Sequence, residues 1–147
     1  MSLLLPPEIA ALNDVIVAAR DCRQVLIDSA ERLRDGPMKA ALENRAAERD
    51  EIIEALSAVV RDRGELPPAD SGPDEQRLAG EFWSDVVARV VGDREAPLRE
   101  LCLKAESTLL AAIDSAQRED LPEMAKRTLA KFGGRNAESS LDLPTAS

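Results

Sequence analysis

Glu48 and Glu51 stand three residues apart inside a long apolar-periodic stretch, so on a helix their carboxylates are near neighbours. Glu106 falls between Cys102 and Leu109 on the apolar side of another such stretch. Arg45 and Arg49 continue backward the stripe that begins at Ile52, at places where a bundle helix ordinarily carries hydrocarbon. Asp14, Asp21 and Asp28 recur every seven residues along the flank of an earlier stripe. A carboxylate on a buried helix face must be paired, protonated or bound to a metal. Two chemistries follow. One is a divalent-metal site, for iron or manganese, drawn from Asp21, Glu48, Glu51 and Glu106. Carboxylate bundles that hold two irons use a Glu from each of two helices and a Glu-x-x-His pair from each of the other two. Glu48-x-x-Glu51 imitates one such pair with the His replaced, but the chain has no His, and its last helical stretch offers only Glu123, close to the start. The other chemistry is a buried or half-buried salt-bridge layer in which Arg45 or Arg49 satisfies Glu48 and Glu106. Arginine favours the layer, because a guanidinium stays charged and presents five donors. The layer is the expectation, with no cofactor bound, and the Asp14, Asp21 and Asp28 row is read as a solvated face.

Composition removes most other reactions. With no His there is no Ser-His-Asp triad, no imidazole base and no imidazole-held zinc or haem. Nothing pairs a Ser, Thr or Lys with a base, and Gly133-Gly134 follows no strand, so it is not a phosphate loop. The two cysteines, Cys22 and Cys102, lie on apolar helix faces without C-x-x-C spacing and read as small buried hydrophobes. A catalytic activity is therefore not expected. Lys and Arg number 19 against 28 Asp and Glu, a net charge of −9, which repels nucleic acid and anionic lipid. Met1–Glu8 lacks the basic segment of a signal peptide, and no apolar run approaches the ~20 residues of a membrane helix. These features predict a cytoplasmic location.

The elements that must position these residues are helices. The 147 residues suit one domain. Aromatics are limited to Phe82, Trp83 and Phe132, so the core must be aliphatic. The first helix opens at Pro6-Pro7-Glu8, where proline and an acidic residue suit the helix start. Leu12, Ile16, Ala19, Cys22, Leu26, Ala30 and Leu33 form its stripe, and Asp35-Gly36 should stop it through a left-handed glycine. The second runs from about Pro37 to Arg63 on Met38, Leu42, Ile52, Leu56 and Val59, and ends at Gly64. Joined by so short a turn, the two should form an antiparallel hairpin about 40 Å long. Glu65 to Gly72 is a loop. A shorter third helix, about Pro73 to Val91, carries Phe82, Trp83 and Val87, and Asp93 caps the next. The fourth, about Arg94 to Glu119, has Leu98, Cys102, Ala105, Leu109, Ile113 and Ala116. Asp120-Leu-Pro-Glu123 reads as a capping box for a fifth helix on Met124, Ala125, Leu129 and Phe132, stopped at Gly133-Gly134. That gives an all-α bundle domain over residues 1–134 and a flexible C-terminal tail over 135–147.

In order along the chain, Leu12-Asn13-Asp14, Asp21, Ala30-Glu31, Met38-Lys39-Ala40, Ala46-Ala47-Glu48-Arg49, Phe82-Trp83, Gly92-Asp93, Cys102, Glu106 and Asp120-Leu121-Pro122 form a pattern. In these stretches, which cover about Leu12 to Phe132, the chain resembles a bacterial family of ferritin-like four-helix-bundle proteins whose activity is unassigned. The resemblance implies a ferritin-like up-down bundle of four main helices, with the Trp83 helix as the shorter crossover. Relatives have a long last helix, whereas this chain meets Gly133-Gly134 early. The apolar face so exposed, with Phe82, Trp83 and Phe132, suggests protein–protein contact and a homodimer, without nucleic acid or membrane as partner. A metal-binding bundle is the alternative, and a carrier of a small hydrophobic ligand in an Ala-rich core is a second.

Overall fold

The computed structural model describes residues 5–68, 87 and 95–139, the last seven of these by backbone. Four helices follow in order: α1 (Pro7–Glu31), α2 (Pro37–Asp62), α3 (Glu95–Gln117) and α4 (Glu123–Ser139). Among the described residues there is no strand, and no helix is long and apolar enough to cross a membrane. The expected third helix, with Phe82 and Trp83, lies outside the described residues. Of its positions, Val87 is helical and buried in the core.

The helix ends show how local chemistry sets the boundaries. Pro7 and Pro37 occupy first-turn positions, where a missing N–H costs nothing. The Pro6 carbonyl accepts from the N–H groups of Ile9 and Ala10 at 3.0 and 2.9 Å. Gly64 adopts φ 78°, Glu65 N–H donates to the Val60 carbonyl at 3.2 Å, and Gly64 N–H donates to that of Arg61 at 2.9 Å. That pair of bonds is a Schellman closure, and a side chain at Gly64 would strain it. The expected left-handed glycine at Gly36 is not found. α1 ends at Glu31, and Gly36 is extended, with its carbonyl accepting from Ala40 N–H. The Asp120 capping box is not formed either. The Pro122 carbonyl accepts from Lys126 N–H at 3.0 Å, and Asp120 points into solvent, 4.0 Å from Lys126 Nζ.

A further correction concerns the last helix. α4 continues through Gly133-Gly134 to Ser139, so the stop expected there does not hold and residues 135–139 of the expected tail are helical; residues 140–147 lie outside the described residues. Glycine costs a helix only about 1 kcal/mol relative to alanine. A helix whose preceding turns bury Ala125, Leu129 and Phe132 can carry that penalty twice.

α1 packs on α2 and α3, and α4 packs on the same two, so α2 and α3 face each other across a diagonal. Arg63 at the end of α2 reaches Glu8 at the start of α1, as an antiparallel hairpin requires. Along α1, Cys22 sits by Arg49 and Glu106, and Ser29, two turns later, sits by Cys102. α1 and α3 therefore also run antiparallel, and α2 and α3 run the same way. The connection from Asp62 to Glu95 consequently joins opposite ends of the bundle. The stripes read from the sequence all turn inward: Leu12, Ile16, Leu26, Leu42, Ile52, Leu56, Leu98, Leu109 and Leu129 are fully buried. Met124 departs from its stripe and is 61% exposed.

Candidate functional site

At mid-height the aliphatic core is interrupted by a polar layer. Arg45 and Arg49 are one helical turn apart on α2, and Cys102 and Glu106 are one turn apart on α3, so each pair projects to one height of the diagonal. Arg45 Nη1 donates to both carboxylate oxygens of Glu106, at 2.8 Å each. Arg49 Nη2 approaches Glu106 Oε1 at 3.4 Å. The side chains of Arg45, Arg49 and Glu106 are 8%, 0% and 1% exposed, so the triad is sealed from water. Glu48 Oε2 stands 3.8 Å from Arg49 Nη1 on the solvent edge of the layer. The two arginines and two glutamates therefore balance in charge. Hydrogen bonding is less complete: none of the three guanidinium nitrogens of Arg49 makes a well-aligned hydrogen bond within the described residues. Such geometry is electrostatic pairing rather than donor-by-donor satisfaction, and it makes Arg49 the costly member of the layer.

Cys22 and Cys102 border this layer as free, buried thiols. Burial pushes Cys22 up to about 11 and Cys102 to about 12. The Arg49 guanidinium beside Cys22, and Ser29 with Arg45 near Cys102, pull the other way but do not prevail. Both sulfurs are therefore protonated near pH 7 and poor thiolate nucleophiles. Ser29 is a member of the layer that sequence reasoning missed. It is fully buried, and its one available signal was a polar residue three positions after Leu26 on the buried face.

The metal quartet does not assemble. Glu51 is exposed on the outside of α2, because successive helical residues are about 100° apart and Glu51, next to Ile52, leaves the stripe. Asp21 is half-buried on α1, and burial raises its carboxyl pKa. Glu48 lies at the edge of the layer, and Glu106 is already held by two guanidinium groups. No group of three or more His, Cys, Asp or Glu side chains among the described residues is placed to hold a metal ion. The space that iron or manganese would need between Glu48 and Glu106 is occupied by arginine. Asp14 is exposed, and Asp28 accepts a 2.8 Å hydrogen bond from Gln24 Nε2. Phe132, expected at an interface, is a core residue, 3% exposed, with Lys131 Nζ 6.0 Å from its ring centre.

Outside the layer, a surface seam runs between α1 and α2. Arg23 Nη1 bridges it to Asp50 Oδ1 at 2.6 Å, and a groove opens on either side of that bridge. Sequence reasoning missed the seam. Its trace in the sequence is Lys39, Glu43, Ala46, Ala47 and Asp50, spaced to share one side of α2.

The fold and this interior define an all-helical bundle protein with an arginine-filled centre. No family model, curated protein or solved structure matches the chain.

Proposed function

We propose that this protein is a non-enzymatic, ferritin-like helical bundle that works through protein–protein contact, first of all with a second copy of itself. The observation that carries the reading is the closed pairing of Arg45, Arg49 and Glu106. The groups able to do chemistry in the interior are turned onto each other, at 2.8 and 3.4 Å, and are shut off from solvent. Such a layer serves register and specificity of packing, the best-attested use of buried charge in helical bundles. What the molecule offers a partner is then its outer surface. The ferritin-like assignment is supported by the antiparallel order of neighbouring helices and by a connection that links opposite ends of the bundle. Among the described residues the α1–α2 cavities are open surface grooves rimmed by charged side chains, which lends hydrophobic-ligand carriage no support.

Multi-angle light scattering of the untagged chain at tens of micromolar tests the reading. The expected mass is twice the 15.9 kDa of the chain. A strictly monomeric mass refutes self-association. Stoichiometric iron or manganese on the same sample, lost on Glu106→Ala, refutes the non-enzymatic reading.

A further inference from the structure

We draw no further inference here: the strongest candidate, the surface groove between α1 and α2 floored by Ala30, Ala46 and Ala47 and rimmed by Glu31 and Glu43, carries nothing because nothing in the structure shows what covers it.

Discussion

Substituting Glu106 by glutamine is the most informative perturbation of the interior. The change keeps the shape and removes the one carboxylate that faces both Arg45 and Arg49. Arg45 keeps one oxygen acceptor but has an amide N–H donor set against it where the second 2.8 Å acceptor stood, and both Arg45 and Arg49 lose the counter-charge at 2.8 and 3.4 Å. With 8% and 0% of their side chains exposed, neither guanidinium can recover that loss from water in place. Breaking a buried pair by removing one partner costs about 3–5 kcal/mol. That is a large part of the roughly 5–15 kcal/mol that holds a typical domain together. At 2–4 °C per kcal/mol for a chain of this size, Tm should fall by about 6–20 °C. Urea unfolding followed by far-ultraviolet circular dichroism measures the free energy directly, and an unchanged m value shows that the native state kept its compactness. The triple substitution Arg45→Met, Arg49→Met and Glu106→Leu removes the whole layer rather than one side of it. It should be near neutral, or more stable than wild type by about 1–4 kcal/mol. A loss below about 1 kcal/mol for Glu106→Gln, or a triple variant as unstable as the single one, would refute the reasoning.

Other consequences are smaller. Cys22 and Cys102 should resist a thiol reagent at about pH 8 in the folded protein and react at once in urea; rapid labelling of the native state would contradict their burial. Their folded pKa values of about 11 and 12 lie above the ordinary thiol value of 9.0. The folded state therefore holds their protons longer than the unfolded chain does, so stability is intact below pH 9 and declines as pH rises toward 12. Cys22→Ala with Cys102→Ala should flatten that part of the pH profile relative to wild type. Asp21, whose carboxyl is raised by burial, opposes folding when ionised. Asp21→Asn should therefore stabilise at neutral pH, with the gain shrinking as acid protonates the wild-type carboxyl. Because α4 runs through Gly133 and Gly134, replacing either with Ala should raise stability by about 0.5–1 kcal/mol; a fall in Tm would restore the helix stop.

The sequence by itself determined what depends on residues close together along the chain. The period of 3.6 residues placed the apolar stripes of α1, α2 and α3, since the face of a helix is a local property. The same periodicity singled out Arg45, Arg49 and Glu106 as polar residues on buried faces, and Gly64 as a helix end. Terminal signals were less reliable, because Asp120, Gly36 and Gly133 each change the free energy by only about 1 kcal/mol, which neighbouring packing can override. Tertiary structure alone decided how the interior polar groups are shared. That α2 and α3 lie on one diagonal gives Glu106 two guanidinium partners and leaves Glu51 in water. It also decided that Glu43 and Arg61 edge one seam with α1, on opposite sides of the Arg23–Asp50 bridge. The physical reason is range. Helical phase is set by covalent geometry within a few residues, whereas ion-pair partners and surface seams are set by which helices pack together, over separations such as the 61 residues between Arg45 and Glu106.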